Sequence, residues 1–479
     1  MAKNGYKIFD SDTHVGPQSD ILAQYMTVGD LERLKAFDGF LRKSSTTDHS
    51  TYNFNTRSYT RRLGQPEAQE SDPREYMTGF TAQHRRPPNP LQEDDPAERI
   101  KDMDLEGVDV NLLLPSGWFG VWTSQPDTAL ENAFYEAYHR WMEDYCAPFP
   151  DRLTGVILCS ARDVEAAVSE IDRWGKARWP MAVFVYAPYG MPLDHPDLEP
   201  IWATAAGYDL SILIHTFTVA PPYAPGGLDT WDNLWLQRSA AHPWCGMRNM
   251  ASVIGSGVMD RYPDLRVGVL EAGHGWLPFW VKRLDEHQIS IPTALPTLKN
   301  TPSEYVSSGR YFQSIEMSEG QEVTKSVIDI LGEDILMYTS DYPHGESWFP
   351  ISVDTVMAWD GIPESAKKKL FWDNAVRYYG RYSSGYTREA RRGELSKCQA
   401  HYRPAKRRLL LAFRVSMMYS LFRSRSVMGG SEIHSWKAIT CVLIAVRTAL
   451  FRRCAHIRTN VLIWGVRQDS IRFARQRHR

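Results

Sequence analysis

From about residue 95 the chain alternates short runs of Val, Ile and Leu with longer segments whose apolar residues recur every three or four positions. The runs predict strands at Tyr6–Val15, Val108–Pro115, Leu153–Ser160, Met181–Ala187, Leu210–Thr216, Arg266–Ala272, Tyr311–Met317 and Ile335–Ser340. The amphipathic segments predict helices at Pro96–Glu106, Leu130–Tyr145, Val164–Trp174, Leu198–Gly207, Met247–Tyr262, Trp276–His287, Gln321–Leu331 and Ser365–Tyr379. Most of the strands are continuously apolar, as strands covered on both faces are. Eight such units, with polar groups at the strand C-termini, point to a (β/α)8 TIM barrel. A doubly wound open sheet carries the same alternation, but its Gly-rich turn after the first strand is missing, and Asp10-Ser-Asp-Thr-His14 stands there instead.

Residues 16–96 break the rhythm. They are polar and irregular, include Arg85-Arg-Pro-Pro-Asn-Pro90, and read as an insertion holding at most a helix or two. The barrel is expected to occupy residues 1–382, and residues 383–479 to lie outside it.

The strand ends carry the chemistry. On the first strand, simple alternation puts Asp10, Asp12 and His14 on one face, where they cannot lie in an apolar core unless paired or bound to a cation. Strand five ends in His215, strand six in Glu271 and His274, and strand eight in Asp341 and His344. In a barrel these ends converge on the C-terminal face. Carboxylates and imidazoles meeting there from four strands fit a divalent metal site with a nearby base. Strand four ends in Tyr186 and Ala187, with no lysine to bridge two ions, so one metal is expected. The loop Ser116–Trp122 follows strand two on the same rim. Its Trp118, Phe119 and Trp122 either wall a pocket for a flat acid or pack the loop onto the barrel. Arg162, just past strand three, either binds a substrate carboxylate or makes a surface salt bridge.

Composition adds one surprise. The 479 residues are 43% hydrophobic with 16 Trp, ample for a large core, and the net charge is only −2. Residues 385–479 nevertheless hold 21 Lys and Arg against Glu389, Glu394, Glu432 and Asp469, a surplus of 17 positive charges that leaves −19 for the rest. The longest apolar run of this tail, Ala438–Val446, is nine residues, well short of the ~20 that span a bilayer. Three readings of it stand: a basic element for membrane surfaces or nucleic acid, a second domain, or a disordered or non-native extension such as a readthrough or frame-shifted tail, which its composition favours. The six cysteines form no Cys-x-x-Cys pair, and the first residues hold no apolar leader, so a reduced, cytoplasmic setting is expected.

Several motifs resemble amidohydrolase family 2, the group of 2-amino-3-carboxymuconate-6-semialdehyde decarboxylase and related aromatic-acid decarboxylases. They are Phe9-Asp-Ser-Asp-Thr-His14, Pro192–Trp202, Gly257–Val267, Leu270–Pro278, Ser340–His344 and Asn374–Gly380. The resemblance implies a (β/α)8 barrel with one divalent metal, zinc or manganese, held by Asp12, His14, His215 and Asp341. Two positions depart from the family pattern. Asp12 replaces a histidine, which hardens the site and favours manganese or magnesium over zinc. Glu271 also replaces a histidine that helps deprotonate metal-bound water; Glu271 either does the same or binds the metal itself, with His274 the alternative base beside Asp341.

The expected activity is decarboxylation of an aromatic or enol-type acid; the alternative is hydrolysis of an amide, ester, lactone or vinylogous acid in the same scaffold. The expected partners are a small carboxylic acid and a second copy of the chain in a homodimer, with no nucleic acid and no transmembrane segment. A nucleic-acid-binding or non-catalytic role rests on the basic tail alone, and the converging ligands speak against it.

Overall fold

A computed structural model describes residues 3–43, 49–52, 86–116, 127–186, 188, 190–216, 234–294 and 298–383. Its main sheet has eight parallel strands in chain order. They are β1 (Phe9–Val15), β2 (Val110–Pro115), β3 (Leu153–Ser160), β4 (Pro180–Tyr186), β5 (Ser211–His215), β6 (Val267–Leu270), β7 (Tyr311–Ser314) and β8 (Leu336–Met337). Every residue of these strands is buried, so the apolar runs sit between the barrel interior and an outer layer of helices. That layer comprises α1 (Pro96–Glu106), α2 (Thr128–Cys146), α3 (Val164–Trp174), α4 (Glu199–Gly207), α5 (His242–Gly255), α6 (Leu277–Ser290) and α7 (Gly320–Leu331), followed by a continuous helical run over 364–378.

The helix ends follow the local chemistry. Asp95 caps α1 by accepting from Ala97 N, Pro96 occupies its first turn, and Gly107 ends it at φ 91°. Asp127 and Asp163 cap α2 and α3 in the same way. Within the described part of the insertion lie short helices at Ser19–Leu22 and Val28–Leu34, and a hairpin of Leu41–Lys43 with Ser50–Tyr52 that periodicity did not reveal.

The barrel closes between β1 and the chain just after β8. Ser11 N donates to Tyr338 O (3.1 Å), Asp341 N to Asp12 O (3.1 Å) and His14 N to Tyr342 O (2.7 Å). The opposite mouth is stoppered by the end of the last helix. Tyr378 OH donates to Ile212 O, and its ring fills the space a side chain on Gly268 would take. Tyr379 stacks on Phe9 at 5.4 Å, Arg381 donates to Pro180 O, and Tyr382 OH to Asp151 O. Residues 384–479, and every expectation placed on them, lie outside the described residues. Because the stopper ends at Tyr382, a chain terminated after Ser383 is expected to keep the full-length melting temperature and metal content; a drop of several degrees would make the extension part of the fold.

Between β1, β2 and α1 lies a buried polar layer. Glu106 of α1 is 3% exposed and accepts from Ser352 Oγ, and burial raises its pKa to about 7. A carboxyl whose folded pKa exceeds its unfolded one binds more protons when folded, so stability falls as pH rises from about 4.5 to about 7. Glu106→Gln should remove that loss. Its stability relative to wild type should climb through this window by at most about 3 kcal/mol, read by denaturation at each pH.

Candidate metal centre

On the C-terminal mouth the strand ends deliver six ionisable side chains to one place. The ligand atoms of Asp12, His14 and His215 lie within 4.8 Å of one another, and so do those of His14, Glu271, Asp341 and His344. His14 Nε2 is 3.3 Å from Asp12 Oδ1 and 3.1 Å from Asp341 Oδ1. His215 Nε2 is 3.4 Å from Asp12 Oδ1 and 3.1 Å from Glu271 Oε2. His344 places Nδ1 2.8 Å from Asp341 Oδ1 and stacks its ring on His14 at 3.9 Å.

The orientation of His14 is fixed from behind. Its Nδ1 lies 3.1 Å from Pro115 O, so the proton belongs on Nδ1 and the lone pair of Nε2 faces the carboxylates. A lone pair aimed at two carboxylate oxygens needs a positive charge between them. Without a metal that charge is a proton: burial works against it, but Asp12 and Asp341 hold the His14 pKa well above its ordinary value. Burial pushes Asp12 up, yet His215 and His14 bring it below the usual carboxylate range. Burial likewise opposes Asp341, which His344 and His14 drive far down. His215 is lowered by burial, with Asp12 pulling the other way. Asp12 Oδ1 and Asp341 Oδ2 are buried with no hydrogen-bond donor among the described residues. These oxygens and ring nitrogens, gathered about one volume, fit a divalent cation that would be held by Asp12, His14, His215 and Asp341.

Two of the carboxylates sit on backbone that side chains seldom adopt, Glu271 at φ 49° and Asp341 at φ 59°. Neighbouring strands hold both. Glu271 N donates to Ser314 Oγ (3.0 Å), and Thr216 Oγ1 donates to Glu271 O (2.5 Å).

Three placements differ from the sequence-based expectation. Asp10 does not join Asp12 and His14, because the β1–β2 register shifts between Asp10 and Thr13 and so interrupts the alternation. His274 is turned away from the cluster. Its Nε2 meets Thr324 Oγ1 at 2.9 Å, and its Nδ1 lies 2.7 Å from Glu319 Oε2 and 3.1 Å from Glu316 N. Of the two strand-six candidates, only Glu271 faces the cluster, its Oε2 3.1 Å from His215 Nε2. Arg162 ion-pairs at 2.7 Å with Glu131 of α2, which is fully buried, so its bridge belongs to the packed interior rather than the surface. Trp118, Phe119 and Trp122 lie outside the described residues.

The structure also adds residues that sequence reasoning missed. Glu316 follows β7; Tyr311 and Gln313 bond toward Met250 and Gly273, so alternation turns Phe312, Ser314 and Glu316 inward. Burial raises the Glu316 pKa well above the carboxylate range, and Asp341 and Asp12 raise it further. The parity of β7 was the available signal. His242, at the start of α5, places Nδ1 3.5 Å from Glu271 Oε1, and nothing local marked it. Arg99 of α1, fully buried, donates from Nη1 to His14 O and Gln92 Oε1, both at 2.7 Å.

A parallel barrel with a buried cluster of histidines and carboxylates at its C-terminal mouth defines a metal-dependent enzyme class. The chain belongs to the amidohydrolase family, whose model matches residues 68–381. It is 25% identical over 295 residues to 2-amino-3-carboxymuconate-6-semialdehyde decarboxylase of Dictyostelium discoideum, covering 60% of this chain and 77% of that protein. It is 23% identical over 299 residues to gamma-resorcylate decarboxylase of a Polaromonas species, covering 59% of this chain and 86% of that one. Among solved structures, 5-carboxyvanillate decarboxylase of Novosphingobium aromaticivorans, with bound manganese and a nitrobenzoic acid, aligns with a TM-score of 0.56 at 21% identity. It covers 79% of this chain and 98% of that one. The relatives in sequence are thus acid decarboxylases, and the structural likeness is one of fold.

Metal analysis tests the centre. The wild-type protein should carry about one equivalent of divalent metal and His215→Ala none, since a buried imidazole ligand has no substitute. Full retention by the variant would remove His215 from the site.

Proposed function

We propose that this chain is a metal-dependent decarboxylase of an aromatic or enol-type carboxylic acid, using one manganese ion. The convergence of Asp12, His14, His215 and Asp341, with Glu271 3.1 Å from His215, carries the reading. The two relatives in sequence, each named for acid decarboxylation, support the reaction class. A donor set of two carboxylates and two imidazoles suits manganese, and the manganese of the carboxyvanillate enzyme is in keeping with it. A homodimer is part of the same reading, with exposed Trp244 on α5 and Phe279 on α6 as candidate contact residues.

In the reaction, the bond from the substrate carbon to its carboxylate breaks, the electron pair stays on carbon and takes up a proton, and CO₂ leaves. Bound at this mouth, a divalent cation supplies electrophilic polarisation of substrate oxygens. The residues do the rest. Asp12, His14, His215 and Asp341 would hold the cation and so set where the acid sits. Glu271, held at a strained backbone position between His215 and His242, carries the proton at its carboxylate oxygen.

Manganese-loaded protein incubated with hydroxybenzoates and other aromatic acids should release CO₂. Hydrolysis of esters or lactones without CO₂ release would favour the hydrolase alternative. Glu271→Gln keeps size and loses the proton carrier, so kcat should fall about 10²–10⁴-fold with an unchanged melting temperature. Unaltered turnover in that variant would remove Glu271 from the chemistry.

A further inference from the structure

The register shift in β1 leaves Asp10 buried, at 1% exposed, on a different side of the strand from the metal cluster. Its carboxylate is nonetheless fully engaged. Oδ1 accepts from Ser340 N (3.0 Å) and Oδ2 from Ser340 Oγ (2.5 Å). Ser340 Oγ in turn accepts from Tyr342 N (3.1 Å). Asp10 therefore grips both neighbours of Asp341, one directly and one through the serine hydroxyl. Asp341 itself has φ 59° and is tied back by Asp341 N to Asp12 O at 3.1 Å. The grip falls where regular pairing is thinnest, because β8 has two ladder residues and the chain beyond meets β1 in a single parallel bridge, Thr13 to Tyr342.

We infer that Asp10 is a positioning residue for the metal centre. It clasps Ser340 and, through it, Tyr342, so that Asp341 stays in its left-handed conformation with its carboxylate facing His14. The inference rests on the metal centre proposed above and adds to it the group that fixes one of its ligands. The physical case is a matter of strain. A non-glycine residue at positive φ relaxes to ordinary backbone unless both flanking peptides are held. Here both are held by one carboxylate, which meets Asp12 only at its backbone N, 3.5 Å from Oδ1, and touches no ligand side chain. Burial pushes the Asp10 pKa well above its ordinary value, with the Ser340 hydrogen bonds opposing, so the clasp depends on two acceptor oxygens set against Ser340 N and Oγ and not on charge.

Calorimetric titration of the metal-free protein with Mn²⁺ tests it on wild type, Asp10→Asn, Ser340→Ala and the double variant, each with its melting temperature. Asp10→Asn fills the same space, and its amide can still meet the serine, so the fold is retained while one of the two acceptor oxygens that hold Ser340 is lost. Each single variant should bind Mn²⁺ about 10–100-fold more weakly, the size expected when a partner behind a ligand is removed. The double variant should bind no more than about threefold more weakly than the worse single one, because both remove the same grip. Thr154→Val is the control. It deletes the buried hydrogen bond from Thr154 Oγ1 on β3 to Asn111 O on β2, away from the ligands, and should lower the melting temperature while leaving Mn²⁺ affinity unchanged. If wild type binds Mn²⁺ and both single variants bind within threefold of it, the clasp is refuted and the metal centre stands. Equal loss of affinity in Thr154→Val would show that general destabilisation is responsible, and would refute it too. If wild type takes up no Mn²⁺, the metal centre fails and the clasp falls with it. Should Asp10→Asn not fold, Ser340→Ala alone decides.

Discussion

Charge taken out of water has to be compensated, and this requirement shapes the C-terminal mouth more than any packing preference does. Asp12, His14 and His215 are almost completely buried there, with Glu271 and Asp341 nearly so. Left unpaired, any of them would cost several kcal/mol, so their proximity is stable only as a set. The set is made orderly from outside it. Pro115 O fixes the tautomer of His14, and Arg99 reaches through the wall to hold the His14 carbonyl. The cluster then presents lone pairs inward, where a divalent cation would answer them together.

The two ends of the barrel divide the work. At the closed end, Tyr378, Tyr379 and Tyr382 stopper the mouth with aromatic surface and satisfied hydroxyls, which is where burial contributes stability. At the open end, Glu271 and Asp341 occupy left-handed backbone, a cost of order 1–3 kcal/mol each. Such strain persists only if the scaffold over-determines it. Backbone bonds between β1 and the chain after β8, Ser314 beneath Glu271 and Asp10 beneath Ser340 are the parts that do so. Function sits where the sheet is least regular, and the regular remainder offsets it.

Much of this was legible in the residues. The helices Pro96–Glu106 and Val164–Trp174 stand where their periodicity placed them, with Asp95 and Asp163 as caps, because those segments obey one local rule from end to end. The strands began and ended within a few residues of their apolar runs, and Asp12, His14, His215, Glu271 and Asp341 lay at their ends, where a barrel gathers them. What was not legible depends on non-local geometry. A register shift of one strand against its neighbour separates Asp10 from Asp12 and leaves no mark in composition. His274, three residues past Glu271, turns outward because α7 offers it Thr324, and pairing across 50 positions is invisible to a local reading. Glu316 and His242 belong to the site only once the strand and helix that bear them are in place.

Asp12 and Glu271 carry a common consequence. They bring carboxyl groups to the mouth beside Asp341, with Glu316 next to them. An acid substrate brings one more negative charge. Two like charges 4 Å apart repel by ~4 kcal/mol at the effective dielectric of a partly buried site, and here a substrate faces several. On the decarboxylase reading a bound cation would therefore do two jobs. It would draw electron density from the substrate, and it would make the site admissible to an anion at all. Burial and the charges of Asp341 and Asp12 favour the protonated form of Glu316, which lightens the same burden by one charge. An anionic ligand set, a hard divalent ion and a carboxylic acid substrate are thus linked by charge balance. The ligand set or the acid alone would be unfavourable in this mouth, and with the ion they are consistent.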